Sequence, residues 1–169
     1  ITLPVIVDPL SVPTVVADTA CQGFPVTLHV SNVPPGTMLE WFYTQTDQTP
    51  FYTQGTEYTT PPLNITTTFW IGLRDGDCRS PRWPAIAPIW GSPVVNFNYY
   101  NEEMELPNAI LTVDVTQELN GPMTSYLWTF GDGGTSSINE PVHQYNEAGI
   151  YDITLTVVSV HGCTTVYRL

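Results

Sequence analysis

The sequence contains no lysine, and its four arginines face 16 aspartates and glutamates, which gives a formal net charge of −12. Proteins that bind nucleic acid need clustered cations to displace counterions from phosphates, and an anionic membrane surface makes the same demand. This charge balance excludes nucleic acid as the expected partner and disfavours binding to an acidic membrane.

Long apolar runs are also missing, since none approaches the roughly 18 residues of a membrane span. We therefore expect no direct insertion into a membrane. Only 12% of the residues are charged, so the surface must consist largely of threonine, serine, asparagine and glutamine. Such a neutral, polar surface fits an extracellular setting.

Helical periodicity is almost absent, and alternation of apolar and polar residues dominates the chain. Val26–Ser31 predicts a strand with one solvent-facing side. Leu39–Thr44, in which Glu40 and Thr44 hold polar positions, predicts another, and Phe69–Leu73 a third. Turn-forming clusters rich in Pro, Gly, Asn and Asp separate these strands. The pattern predicts an all-β fold of the sandwich type.

The length of 169 residues exceeds one ordinary sandwich of about 100 residues and fits two domains of about 80. Strand patterns resume near Pro93, after the segment Trp83–Ser92, whose prolines permit an edge strand and a stiff linker. We therefore place one domain at residues 12–90 and a second at 91–169. Residues 1–11, apolar and extended at first, are expected to be the end of a preceding module or a linker.

Five further strands are predicted in the second domain, whereas the acidic stretch Asn101–Asn108 is expected to form a loop or a short helical turn. These strands are Val94–Tyr99, Ile110–Thr116, Ser125–Phe130, Val142–Tyr145 and Ile150–Ser159. Tyr126, Trp128 and Phe130 share one parity, which predicts that Trp128 fills the core between two sheets.

A specific motif lies in this second half. Trp128 runs into Phe130-Gly-Asp-Gly, followed by Pro141-Val-His-Gln-Tyr and by Gly149-Ile-Tyr-Asp-Ile-Thr-Leu. The pattern closely resembles the PKD repeat and covers roughly Pro93 to Leu169.

The first half carries a looser pattern, with Trp41-Phe-Tyr, Tyr58-Thr-Thr-Pro-Pro-Leu, Thr67-Thr-Phe-Trp and Cys78-Arg-Ser-Pro-Arg. It resembles the immunoglobulin-like domain of Bacteroidetes surface and gliding-motility proteins. In that family such modules alternate with PKD repeats in long adhesin-like chains, commonly exported by type IX secretion. The resemblance implies tandem sandwiches, a secreted or cell-surface location, neighbouring modules of the same chain as partners, and a structural or adhesive role.

The resemblance also bears on the three cysteines. It places Cys21 at the entry to the second strand and Cys78 near the end of the first domain, and we expect these two to form a disulfide. Cys163 is then expected to be a free buried thiol or to pair with a neighbouring module. Two short triplets, Asn64-Ile-Thr and Asp18-Thr19-Ala, match acceptors for N-glycans and O-glycans.

Candidate metal ligands are the carboxylates of Asp75 and Asp77, which flank Gly76 in a predicted hairpin. Together with Asp8, Asp18 or the Glu102, Glu103 and Glu105 group they could hold calcium, which prefers several oxygen ligands. Solvated turn carboxylates are the favoured alternative, and we expect no other cofactor.

Phe130–Gly134 looks superficially like a phosphate or calcium loop. It lacks the lysine of a P-loop and the repeated oxygen ligands of an EF-type loop. It therefore predicts a tight glycine turn capped by Asp132.

Three tryptophans, Trp70, Trp83 and Trp90, lie out of phase with a strand's core or near the linker. Flat indoles on a polar surface could stack on the sugar rings of an extracellular glycan. Packing within the linker is the alternative for Trp83 and Trp90.

Catalysis has little support in the sequence. The three histidines form no His-Glu-x-x-His motif, and no Gly-x-Ser-x-Gly elbow is present. We expect no enzymatic activity, and we expect a spacer segment of a large secreted bacterial cell-surface adhesin or filament. The alternative is a carbohydrate-binding accessory module of a secreted hydrolase. Beyond neighbouring modules, the expected partner is an extracellular glycan or a surface protein.

Overall fold

The computed structural model describes residues 12–53, 55–103, 109–119 and 122–169, and all of the regular structure in them is β. Two compact units divide between Ile89 and Trp90. No helix in the described part of the chain is long and apolar enough to cross a membrane. The expectations for residues 1–11, including Asp8, and for Glu105 lie outside the described residues.

The first unit is built from short strands, and most of them are bounded by turns rich in Pro, Gly, Asn and Thr. They are β1 (Thr14–Ala17), β2 (Ala20–Cys21), β3 (Thr27–Ser31), β4 (Met38–Phe42), β5 (Glu57–Thr59), β6 (Thr67–Asp75), β7 (Cys78–Arg79), β8 (Trp83–Ala87) and β9 (Ile89–Trp90).

Two antiparallel sheets form this sandwich. One has the strand order β1-β3-β5, and in the other β6 pairs with β4 on one side and with β7 and β8 on the other, while β2 pairs with β9. The core between the sheets is built from hydrophobic side chains, because alternate residues of each strand face inward. Its buried members are Val26, Leu28, Val30, Leu39, Trp41, Phe69, Ile71, Leu73, Ala85 and Ala87.

The proline-containing segment Trp83–Ser92 contributes an edge strand, as predicted, because β8 pairs only with β6 and Pro84 lies opposite Trp70. Ala85 and Ala87 of this strand are completely buried. This part of the segment therefore belongs to the first core and is not a linker.

The second unit contains β10 (Val94–Glu103), β11 (Ala109–Leu119), β12 (Met123–Thr129), β13 (Thr135–Ser136), β14 (Val142–Tyr145), β15 (Thr154–Ser159) and β16 (Thr164–Arg168). One sheet has the order β10-β11-β14 and the other β13-β12-β15-β16, with antiparallel pairing throughout. The described core is Val95, Phe97, Trp128, Phe130, Ile153, Leu155 and Val157. The predicted core position of Trp128 is confirmed.

Two predicted boundaries in this unit were wrong. Asn101 and Glu103 continue β10 opposite Leu111 and Ile110, where a loop was expected, and a bulge between them absorbs the irregular register. Residues 104–108, the rest of that expected loop, lie outside the described residues. The last long strand begins at Thr154 and not at Ile150, since the preceding loop folds back so that the Tyr151 hydroxyl donates to the carbonyl of Glu147 at 2.8 Å.

Candidate functional site

The glycine turn between β12 and β13 carries a set of polar contacts in the second unit. Gly131 and Gly133 have φ of 83° and 94°, left-handed conformations that suit glycine. The carboxylate of Asp132 accepts a hydrogen bond from the backbone N–H of Gly134 at 2.8 Å. The predicted turn capped by Asp132 is confirmed.

His143, on β14 of the other sheet, contacts this turn and holds it in place. Its Nε2 lies 2.8 Å from Oδ2 of Asp132, and its ring stacks on Phe130 with centroids 4.0 Å apart. Burial by itself would raise the pKa of Asp132. The hydrogen bonds from Gly134 and His143, with the charge of His143, outweigh that effect and hold the pKa below its usual value.

Tyr145 and Tyr151 extend the same network. The Tyr145 hydroxyl donates to the carbonyl of Phe130 at 3.0 Å, and the two tyrosine rings stack with centroids 4.3 Å apart. Burial, followed by the negative charge of Asp132 and the neighbouring Tyr151, raises the pKa of Tyr145 to about 12. Each of these groups therefore serves to fix the turn against the sheet.

An open depression of about 470 Å³ lies beside this turn, lined by the glycines and by Ile150, Asp152 and Arg168. Arg168 and Asp152 form an exposed ion pair at 3.9 Å. A histidine oriented by an aspartate resembles half of a hydrolytic triad, which also requires a nucleophile next to the histidine. The contacts of His143 and Asp132 instead hold the turn, since Asp132 accepts hydrogen bonds from both His143 and the backbone of Gly134.

In the first unit, His29 lies between two acidic side chains. Its Nδ1 is 3.1 Å from Oε1 of Glu57, and its Nε2 is 3.6 Å from Oδ2 of Asp18. All three side chains are largely exposed, and exposed pairs of this kind contribute little to stability.

Glu40 occupies a polar position in the alternation of β4, yet only 2% of it is exposed. Its carboxylate lies 3.8 Å from Arg74 and 3.9 Å from Arg79, which cover it on the outer face of the sheet. Sequence alternation missed this burial because it cannot show which charged side chains from a neighbouring strand will cover a position.

An aromatic cluster lies at the end of β4, where Tyr43 stacks on Phe51 with ring centroids 4.1 Å apart. Phe51 in turn packs edge-on against Tyr58 and, at a tilted angle, against Phe69 of the core. Burial, followed by the nearby Tyr43, raises the pKa of Tyr58. Sequence reasoning missed this site, because alternation along a strand does not show which aromatic rings of the following loop fold back onto it.

The tryptophans predicted to stack on ligands are only partly available. Trp70 and Trp83 are half-buried, and Trp83 packs against the first core. Trp90 is 37% exposed, and one face of its indole stacks on His161 at 3.5 Å. Each of these indoles is therefore only partly available to a ligand.

Asp75 and Asp77 lie in an exposed hairpin around Gly76, which has a φ of 55°. Asp18 contacts His29 instead of this hairpin, and the side chains of Glu102 and Glu103 lie outside the described ones. Among the described residues, no three His, Cys, Asp or Glu side chains gather as a metal site would require.

The expected pairing of Cys21 with Cys78 is not the one in the structure. Cys78 carries a free, exposed thiol, so it does not pair with Cys21. Cys163 is fully buried and disulfide-bonded, so the expectation of a free thiol there was wrong. Cys78 lies on β7 at the exposed end of a hairpin and Cys21 on β2, in a different sheet, and a disulfide requires Cα atoms within about 7 Å. The glycan acceptors Asn64 and Thr19 are both exposed.

Two family models match the chain. Residues 11–89 match the model described as "Ig-like domain CHU_C associated", and residues 90–168 match the PKD domain. Both kinds of domain are non-catalytic modules.

Several curated proteins and solved structures are similar to parts of the chain. Collagenase ColA from Bacillus cereus is 40% identical over 74 residues, which is 41% of this chain and 7% of that protein. The pre-pro-metalloprotease PrtV from Vibrio cholerae is 34% identical over 71 residues, with 42% and 7% covered. The chain thus spans about 7% of the length of these relatives.

Among solved structures, the PKD1 domain of the V. cholerae metalloprotease PrtV shows 30% identity and a TM-score of 0.39, over 46% of this chain and 91% of that one. The PKD1 domain of Vibrio anguillarum Epp shows 29% identity and a TM-score of 0.40, with 46% and 88% covered. The two family matches meet between Ile89 and Trp90, where the fold also divides. Residues 90–168 are therefore a PKD domain, preceded by an Ig-like, CHU_C-associated domain.

Proposed function

We propose that this chain is a non-catalytic spacer segment of a large secreted bacterial cell-surface adhesin or filament protein. One observation carries the proposal: the titratable groups most suited to chemistry, Asp132 and His143, are used to hold a turn. Rigid sandwich modules of this kind project other domains away from a surface. Neighbouring modules of the same chain are then the natural partners.

The similar proteins support an extracellular setting. Collagenase and metalloprotease are the names of the curated relatives, and the matched segment is a small part of each. A collagenase acts on an extracellular protein, so a module shared with it is suited to the same surroundings. Export by type IX secretion and retention at the cell surface are part of this proposal, and they rest on the sequence resemblance of the first half to Bacteroidetes surface proteins.

The second candidate is an accessory module of a secreted hydrolase, which the names of these relatives favour. In its carbohydrate-binding form it would rely on Trp70, Trp83 and Trp90. Their partial burial and the stacking of Trp90 on His161 argue against that form.

Fractionation of producing cells separates the two candidates. An antibody raised against this chain is used to probe intact cells, washed envelopes and culture medium. The spacer proposal predicts a surface-exposed, protease-accessible signal on a very large cell-bound protein. A signal that is found in the medium and co-purifies with hydrolytic activity would favour the accessory module.

A further inference from the structure

The exposed ring of Tyr43 is held in one orientation. Phe51 covers one face of it at 4.1 Å and 20° between the ring planes, and Phe69 lies 6.2 Å away at a tilt of 49°, yet Tyr43 remains 61% exposed. Phe51 is itself fixed, because its backbone N–H donates to the carbonyl of Trp41 at 2.9 Å and its ring packs against Tyr58 and Phe69. The aromatic surface is thus preorganised.

The loop that follows Tyr43 is equally constrained. Asp47 accepts hydrogen bonds from the N–H of Thr44 at 2.9 Å and from its hydroxyl at 2.5 Å, and these hold the pKa of Asp47 below its usual value. Arg82 donates to the carbonyls of Thr44, Gln45 and Asp47, while its guanidinium lies 3.5 Å over the ring of Phe42. Little conformational entropy remains to be lost when a ligand binds this loop.

The charged side chains near Tyr43 already form hydrogen bonds within the protein. The carboxylate of Asp47 is bonded to Thr44, and the guanidinium of Arg82 is bonded to backbone carbonyls. The exposed side chains of this loop are the uncharged ones of Thr44, Gln45, Thr46 and Gln48. Gln48 donates from its amide to the carbonyl of Thr46, whereas no internal hydrogen bond of the Gln45 amide is seen among the described residues. A net charge of −12 also repels anionic ligands. The fitting ligand is therefore uncharged and rich in hydroxyl groups.

We propose that Tyr43 and the loop Thr44–Gln48 form a binding site for a neutral pyranose of an extracellular polysaccharide. The negative face of an aromatic ring attracts the C–H groups of a sugar, and amide and hydroxyl side chains bond to the sugar's hydroxyls. This assignment goes beyond the spacer role, because it gives the Ig-like domain a ligand of its own. It also moves the expected sugar contact from the tryptophans to a tyrosine.

Calorimetric titration of the whole chain with neutral hexasaccharides tests the proposal. The probes are cellohexaose, xylohexaose, mannohexaose and laminarihexaose, with hexagalacturonic acid as a charged comparison. We expect saturable binding of at least one neutral probe and none of the acidic one. Y43A is expected to weaken that binding at least about tenfold, the equivalent of 1.4 kcal/mol.

Three further variants make the result specific. Y43F keeps the ring and is expected to retain binding within about threefold. Gln45→Ala removes one polar contact, and we expect an intermediate loss without a change in folding. Phe24→Ala is the matched control, because Phe24 is 62% exposed but has no ring stacked against it among the described residues. We expect Phe24→Ala to bind like the unmodified chain.

The proposal is overturned if no neutral probe binds, or if only the acidic probe binds. It is also overturned if Y43A binds as tightly as the unmodified chain, or if Phe24→Ala loses as much affinity as Y43A. Near-ultraviolet circular dichroism of each variant monitors folding, and the Y43F and Gln45→Ala variants keep the test valid if Y43A unfolds. The experiment measures sugar binding alone, so a negative result would not contradict the spacer proposal.

Discussion

The contact between His143 and Asp132 determines how the glycine turn of the PKD domain responds to acid. The pKa of Asp132 is held below its usual value in the folded chain, because its hydrogen bonds and the charge of His143 outweigh the effect of burial. A depressed pKa contributes stability above the unfolded value of about 3.9, and this contribution is lost as the pH falls through the folded pKa.

We predict that Asp132→Asn makes the stability of the PKD domain less sensitive to acid. In the unmodified chain we expect the midpoint of thermal unfolding to decrease as the pH drops below about 4, because protonation of Asp132 causes part of this decrease. Calorimetry between pH 3 and pH 7 measures it. Asp152→Asn is the control, since that exposed carboxylate lies 3.9 Å from Arg168 and contributes little. Equal acid sensitivity in both variants would refute the assignment.

Any side chain at position 134 is expected to cause a steric clash in the same turn. A Cβ at this position would overlap Cε1 of His143, whose ring Phe130 and Asp132 hold in place. We expect Gly134→Ala to destabilise the PKD domain by about 1–3 kcal/mol, measured by urea unfolding. Gly72→Ala serves as the control, because its nearest atom would lie at 3.6 Å, and a similar cost there would contradict the mechanism.

At the residue level, sequence predicted the local features and missed the long-range ones. The cap by Asp132 was predictable because Asp and Gly two positions apart define their own turn. The burial of Glu40 depends on arginines from two other strands, and the stacking of Tyr43 on Phe51 depends on how the intervening loop folds back. The state of Cys78 depends on which sheet holds it, and spacing along the chain does not specify that.

Among the elements, the loop after β4 is held in place by a single arginine, Arg82, which directly precedes β8. Arg82 donates to three backbone carbonyls and lies over Phe42, so it ties the loop to the outer face of the sheet. Loops that pack by such contacts lose several interactions when one side chain is removed.

We therefore predict that Arg82→Ala destabilises the Ig-like domain by about 1–3 kcal/mol and loosens residues 44–48. Arg168→Ala removes the same side chain from an exposed ion pair, and a change below about 1 kcal/mol is expected. Chemical denaturation of both variants measures the difference. A smaller effect at Arg82 than at Arg168 would disprove the role of Arg82.

Strand positions were largely readable from the sequence, because burial of one face imposes a period of two. Val142–Tyr145 matches β14, and Ile153, Leu155 and Val157 point into the core as their alternation predicts. The extension of β10 through Asn101 was not readable, since acidic and amide side chains disfavour strands by propensity. Pairing with β11 outweighs that propensity.

At the scale of the whole chain, the described residues of each core come from its own domain. The first described core spans Val26 to Ala87 and the second Val95 to Val157. The central claim is that these are two tandem sandwiches, each held by its own buried side chains, and the proposed spacer role depends on it.

Hydrogen exchange measured by mass spectrometry tests this claim most directly, on the chain and on two core variants. Ile71→Ala and Leu155→Ala each remove a fully buried side chain, at an expected cost of about 2–5 kcal/mol. We predict that Ile71→Ala lowers protection in peptides from residues 12–89, and that Leu155→Ala does so only in peptides from 90–169. Equal loss of protection along the whole chain in either variant would contradict the account.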